Sequence, residues 1–434
     1  LGRMTVGSRM GRAGNRDTAG GALRITERTT QVTPEAHVEF PSRTISRKDR
    51  ARELSSIASR IEQMAVDESN DVDDLMQEAE GKLFEISQRN VKKDVVQIDP
   101  VISQAIETIQ TAANRTSGLS GLQSGFHKLD ELTSGWQNSD LIIIAARPAM
   151  GKTAFVLSMA RKKAVEYNIT VSIFALEMNK VHLVKRLISN MTELEGVKIK
   201  SGQLTQIEWD QLMGRIKKLY GAPLYIDDTA SLSIFELRTK ARRLVREHQV
   251  KFIIIDYLQL MNASGMKFGS REQEVSMISR NLKQLAKELD IPIVALSQLN
   301  RSVESRGDSA AGKRPQLSDL RESGAIEQDA DIVCFIHRPE YYLRSGVDAS
   351  GNDIRGLAEF IVAKHRSGRV DDVKMRFRAK FARFENWEDD TTFAATTVGS
   401  RMNSDDGFGN VGATPFNGGT ANLTPTDPNE TAPF

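Results

Sequence analysis

Between residues 139 and about 387 the apolar positions fall into short, nearly unbroken runs, separated by longer stretches of mixed polarity. The runs are LIIIAA at 141–146, VSIFAL at 171–176, FIIID at 252–256, IPIVALSQ at 291–298, DIVCFIH at 331–337 and EFIVAKHR at 359–366. Consecutive Ile and Val without alternation predict strands buried on both faces, and helical segments between them predict a largely parallel sheet. The expected fold class is α/β.

Upstream the period changes. Leu54, Ile57, Ile61 and Met64, then Val72, Leu75, Ala79, Leu83 and Ile86, recur at helical spacing and predict a helical hairpin within 46–92. The segment 93–116 predicts a further helix, in which Asp99 caps, Pro100 suits the first turn, and Ile102, Ile106, Ile109 and Ala113 form a narrow stripe. Such a stripe between polar segments needs a partner surface. Residues 1–45, rich in Gly, Arg and Thr, predict a mobile basic arm, and 390–434 a disordered Asn/Gly/Thr/Pro tail. The hexapeptide TVGSRM stands in both flanks, at 5–10 and 397–402. The main domain is expected over 117–389.

Composition narrows the classes more than it selects one. A chain of 434 residues can bury a full core, and a net charge of +2 argues against a uniformly basic nucleic-acid coat. Any such contact must come from local clusters. The one cysteine, Cys334, lies inside an apolar run and reads as a small buried hydrophobe. No apolar stretch reaches the roughly 18 residues of a membrane span and no leader opens the chain, so a cytosolic location is expected. The histidines lack metal-ligand spacing, and nothing resembles a Ser/His/Asp hydrolase.

The chemistry gathers at the strand ends. ARPAMGKTA (146–154) follows the first strand and leads into a helix, the setting of a P-loop with Ala146 in place of its first glycine. In that motif the loop of Ala146, Arg147, Pro148, Ala149, Met150, Gly151 and Ala154 wraps a triphosphate with its backbone N–H groups, Pro148 excepted, Lys152 neutralises it, and the Thr153 hydroxyl binds Mg²⁺. Asp256 closes FIIID, where a carboxylate can stand beside that metal. Glu177 in FALEM could align and deprotonate water, or cap a helix. Gln298 in VALSQ could sense a γ-phosphate, or serve as a loop amide. Ligands of open α/β sheets sit beyond the carboxyl ends of the strands, so these residues can converge on one rim that holds ATP.

Two sets of cations remain open at this point. Lys364 and Arg366 share one side of a strand and could supply an arginine finger or a solvated edge. The loops 262–274 and 299–324 carry Lys267, Arg271, Arg301, Arg306, Lys313, Arg314 and Arg321 with few aromatics, which suits contact with a phosphate backbone as well as it suits ordinary solvated loops.

Six ordered segments, GLQSGFHKLDELTSGWQNSDLIIIAARPAMGKTAF, FALEM, IIIDYLQLM, ALSQLNR, DLRESGAIEQDADIV and IVAKHRSG, together resemble the motor of bacterial replicative DNA helicases of the DnaB type. The resemblance covers roughly 95–387. It implies a RecA-like P-loop NTPase motor domain with a mainly parallel central sheet, preceded by a partial α-helical domain (46–92) and a linker helix (93–116). It further implies a homo-hexameric ring that hydrolyses ATP with Mg²⁺ between subunits and moves 5′ to 3′ on single-stranded DNA. By motif position Glu177 is the catalytic base and Gln298 the γ-phosphate sensor, with Lys152 on phosphate and Thr153 and Asp256 at the metal. Lys364 and Arg366 reach the neighbouring subunit's ATP, and Arg321, Glu322 and Gly324, with Arg271 and Arg301 in the adjoining loops, contact DNA. Primase and a loader are implied partners, and the fork in the cytoplasm the implied place of work. Residues 47–90 resemble only the last helices of the family's collar, and 1–34 do not fit it. Two alternatives keep the same phosphate chemistry: a RecA-like strand-exchange filament, and an ATPase unable to close a stable ring.

Overall fold

The computed structural model describes residues 39–66, 75, 79, 81–82, 97–113, 118–263, 268–300, 303–304, 306, 312–343, 346–347 and 351–387. Most of the arm, most of the hairpin's second helix, the tail, Lys267 and Arg301 lie outside that set. Helix α1 spans Glu39–Val66 and α2 spans Ile98–Ala113. The start of α1 falls inside the stretch expected to be an arm; its Pro41 sits in the first turn, where no N–H is required of it. Along α1, Ile57, Ile61 and Met64 are half-buried. On α2 the stripe stays in solvent, with Ile102, Ile106 and Ile109 exposed by 47%, 50% and 68%.

The remaining elements are α3 (His127–Thr133), β1 (Leu141–Ala146), α4 (Lys152–Arg161), β2 (Val171–Ala175), α5 (Lys180–Thr192), α6 (Gly196–Ser201), α7 (Gln206–Ile216), β3 (Leu224–Asp227), α8 (Ile234–His248), β4 (Phe252–Asp256), α9 (Arg271–Leu289), β5 (Ile293–Gln298), α10 (Gly324–Asp329), β6 (Ile332–His337), α11 (Pro339–Tyr342), β7 (Leu357–His365), β8 (Asp371–Arg378) and β9 (Arg383–Asn386). One nine-stranded sheet runs in the order β3-β2-β4-β5-β1-β6-β7-β8-β9. The first six are parallel, and β7, β8 and β9 add on antiparallel. EFIVAKHR is therefore not part of the parallel layer, which the pattern of its residues alone could not reveal.

Each central strand feeds two cores at once. Along β1, Ile142, Ile144 and Ala146 enter one cluster while Leu141, Ile143 and Ala145 enter the other, which is why the run shows no alternation. In the first cluster Phe155 stacks on Phe126 at 5.1 Å and on Phe360 at 4.6 Å, and meets Phe384 edge-on at 5.5 Å. Those contacts clamp α4, the helix that follows the P-loop, between the entry segment and the antiparallel strands. Two consecutive lysines fasten the same entry segment: Lys162 Nζ donates to the Gly125 carbonyl at 2.5 Å, and Lys163 Nζ to that of Gln123. Burial pushes the Lys163 ammonium down to about 7, against the pull of Asp130.

Candidate active site

The carboxyl edge of the parallel strands collects the expected nucleotide residues. In register, Ala146 of β1 lies beside Gln298 of β5, and Ala175 of β2 beside Asp256 of β4. Ala146 ends β1 in strand conformation, so the position needs none of glycine's freedom. The turn that follows does need it, with φ of 66° at Ala149 and 97° at Gly151. A Cβ at Gly151 would also lie 3.1 Å from the Phe384 ring, a tight contact added to a backbone that favours glycine. Helix α4 starts at the next residue and aims its free N–H groups into the loop.

Lys152, Thr153 and Asp256 meet there. Thr153 Oγ1 donates to Asp256 Oδ2 at 2.9 Å, and Lys152 Nζ donates to the Ala146 carbonyl at 3.1 Å. Burial pushes the Lys152 ammonium down to about 8, opposed by Asp256 and Glu177. Burial pushes the Asp256 carboxyl up to about 6, opposed by the Thr153 hydroxyl and reinforced by Glu177. Oδ1 of Asp256 is buried without a hydrogen-bond partner. An orphaned carboxylate oxygen next to a threonine hydroxyl fits Mg²⁺. Among the described residues no three His, Cys, Asp or Glu side chains form a cage that could hold a metal ion by themselves.

Glu177 stands in a bend two residues beyond the end of β2, exposed, with its charge acting on both Lys152 and Asp256. The strand itself stops at Ala175. Gln298 is exposed at the end of β5, where its N–H donates to Gln259 Oε1 at 3.3 Å. Gln259 also donates to Ser297 Oγ at 2.8 Å, a brace that the sequence reading missed. Arg186 was missed as well. It lies on α5 seven residues past the capping Asn179, two turns along the same side, and its charge draws the Asp256 carboxyl down.

The other candidates make contacts within the chain. The Arg147 side chain does not face the loop: it is buried against β5's exit, donating to the Leu299 carbonyl at 3.0 Å and to Glu304 at 2.5 Å. Only its backbone is available to phosphate. Arg271 donates to the Gln259 and Met261 carbonyls at 2.6 and 2.8 Å and pairs with Glu274, so its donors are committed within the chain. Arg306 pairs with Asp319, and Arg314 with Glu359 and Asp372. Each of these three arginines is thus paired with an acid of its own chain. Arg321 and Glu322 lie in the 3₁₀ turn Leu317–Ser323, and Gly324, exposed, opens α10 directly after it.

Lys364 and Arg366 sit at the opposite edge. Because β7 runs antiparallel to β6, Lys364 is level with Val333 and His365 with Ile332, where β6 begins. A six-residue strand is roughly 20 Å long, so neither side chain reaches the P-loop of its own chain.

Residues 121–386 match the model of the DnaB-like helicase C terminal domain. The chain belongs to the DnaB-like helicase family. It is 40% identical to the replicative DNA helicase DnaB of Geobacillus stearothermophilus over 385 residues, 89% of this chain and 83% of that protein. Against the replicative DNA helicase DnaC of Bacillus subtilis it is 38% identical with the same coverage. A solved DnaB-like replicative helicase, described with its interactions with primase, superposes with a TM-score of 0.67 at 34% identity and covers 89% of this chain and 88% of its own. The architecture of this DnaB-like helicase is thus the RecA-like one, and among its described residues no helix is long and apolar enough to cross a membrane.

In this DnaB-like helicase the Asp256 site costs stability. A carboxyl held at about 6 instead of 3.8 keeps its proton in the folded state through a range where the unfolded chain has lost it. Stability therefore falls as pH rises from about 4 to 6 and stays reduced above that, by up to about 3 kcal/mol. Asp256→Asn removes the charge. At pH 8 and without nucleotide it is expected to raise the urea midpoint, with a gain of roughly 1–3 kcal/mol. An unchanged or lower midpoint would show that the carboxylate is already compensated.

Proposed function

We propose that this chain works as one subunit of a hexameric ring that hydrolyses ATP at subunit boundaries and travels 5′ to 3′ on single-stranded DNA. Family membership makes it a replicative DNA helicase and an ATP hydrolase; the ring, the direction and the residue roles are our reading. The observation that carries it is the division of the site between two edges of the sheet. Lys152, Thr153, Glu177, Asp256 and Gln298 gather on one edge, and Lys364 and Arg366 lie about 20 Å away on the other. Side by side in a ring, one subunit's cations come to the next subunit's phosphates.

In this reading the loop N–H groups and the start of α4 hold the phosphates, and Lys152 turns from the Ala146 carbonyl to the outer oxygens. Mg²⁺ held by Thr153 and Asp256 would offset charge on the β- and γ-phosphates. Glu177 orients water and takes its proton, and Gln298 bonds the γ-phosphate and passes its presence through Gln259. The turn holding Arg321, Glu322 and Gly324 follows the DNA strand by its backbone, and α2 lays its exposed stripe on the adjacent motor. Residues 46–92 act as a remnant of the collar, with primase and a loader as partners in the cytoplasm.

The test is ATP hydrolysis with and without single-stranded DNA at two salt concentrations. Stimulation of about tenfold that fades with added salt is expected, since phosphate contacts release counterions. Intact basal hydrolysis with no stimulation would mean that the chain keeps the phosphate site but does not form the ring that grips DNA.

A further inference from the structure

The two cations on the far edge are not free in solvent. Lys364 Nζ donates to the carbonyls of Glu327 and Ala330, at 2.5 and 2.9 Å. Arg366 donates through Nη2 to the Gln328 carbonyl and through Nη1 to Asp331 Oδ1 at 3.3 Å, and its backbone N–H donates to the Asp331 carbonyl at 3.0 Å. Glu327, Gln328 and Ala330 are at the carboxyl end of α10, whose unsatisfied carbonyls carry the negative end of the helix dipole and attract cations.

Asp331 fixes this arrangement to the sheet. The residue is 7% exposed, and its second oxygen, Oδ2, accepts from the Leu141 N–H at 2.9 Å and pairs with Lys283 of α9. One buried carboxylate thus ties the first residue of β1, which ends at the P-loop, to the guanidinium of Arg366. A charge-assisted bond from a buried and otherwise saturated carboxylate restricts where that guanidinium can project.

We propose that Asp331 is a positioning residue for hydrolysis on the neighbouring subunit: it, with the carbonyl end of α10, holds Lys364 and Arg366 in the orientation in which they meet the next subunit's phosphates. This rests on the ring reading above. Helix α10 begins at Gly324, directly after the turn that the resemblance assigns to DNA, and ends at the carbonyls that hold the cations. At 1.5 Å per residue its six residues span only about 9 Å. A shift of that turn on DNA would move both cations together.

The test is subunit mixing. Asp331→Asn can keep the bond to Leu141 N–H but loses the charge that holds Arg366, so kcat for ATP should fall about tenfold with KM little changed. Asp331→Asn and Lys152→Ala subunits are then co-assembled in equal amounts through two affinity tags. Where a Lys152→Ala subunit lends its intact cations to an Asp331→Asn neighbour, the site is whole, so about a quarter of sites should recover by random pairing. A defect inside the Asp331→Asn subunit's own P-loop or fold would not recover. Arg366→Ala is run in parallel. If Arg366→Ala is complemented and Asp331→Asn is not, the positioning role fails and the ring reading stands; if neither is complemented, the ring reading fails and this proposal falls with it. Should Asp331→Asn not fold, Asp331→Glu keeps the charge beside Lys283 while displacing the guanidinium by a bond length. It should show the same complemented loss, and parental turnover in that variant would overturn the proposal.

Discussion

Lys152→Ala is expected to abolish ATP hydrolysis and to weaken nucleotide binding by at least about a hundredfold, the cost of a charge-assisted contact to phosphate in a buried site. The ammonium donates to the Ala146 carbonyl and feels the Asp256 and Glu177 charges, so its removal leaves that pair of acids without their cation beside the loop. The wild-type site should report the same lysine through pH. Its folded value, about 8, lies below the ordinary 10.5, so the empty site loses its positive charge as pH rises through 8. Binding phosphate then requires a proton, and nucleotide affinity should decline above pH 8, by up to about tenfold per unit. A variant that turned over at the parental rate would remove Lys152 from the phosphate site, whereas a flat affinity from pH 7 to 9.5 would show that the ammonium keeps its ordinary value in the empty site.

Glu177→Gln is expected to separate binding from chemistry. Glutamine keeps the shape and an acceptor oxygen but cannot take a proton from water, so kcat should fall by a factor of about 10² to 10⁴ while nucleotide affinity stays within about threefold. Glu177 is exposed in its bend, and surface substitutions of this kind usually leave stability within about 0.5 kcal/mol. Thermal denaturation would check that. Equal losses of binding and turnover would make Glu177 an organiser of the Lys152 and Asp256 charges rather than the base.

The residues proposed for phosphate chemistry were legible because their physics is local. A buried strand, a turn with left-handed residues and a helix start must follow one another in sequence for GKT to function, and each leaves a mark: LIIIAA, then the Pro- and Gly-containing loop, then AFVLSMA. Asp256 was visible for the same reason, as the first polar residue after a run that β4 buries completely. Strands β3, β8 and β9 were not found. Four-residue edges such as LYID and RFEN leave too short a pattern. In DDVKMRFR, however, Val373, Met375 and Phe377 do alternate with exposed residues, a period-two signal that was there to be counted.

Lys163 marks the limit of composition. In ARKKA nothing in residue type separates the two adjacent lysines, yet Lys163 is wholly enclosed above the Phe252 ring at 4.2 Å. The loop arginines Arg271, Arg306 and Arg314, which the residue types left open between phosphate contact and solvated loop, each pair with an acid across a helix turn or farther along the chain.

The sequence by itself determined the α/β class and the strand, turn and helix that join at Gly151, with Asp256 at the end of its strand, because side-chain periodicity and turn chemistry act over a few residues. Tertiary structure alone decided which groups the loop cations pair with and where the far-edge pair lies. That pair's position depends on β7 running antiparallel to β6, and strand direction is set by chain connectivity across the sheet, a long-range property that no short window of residues records.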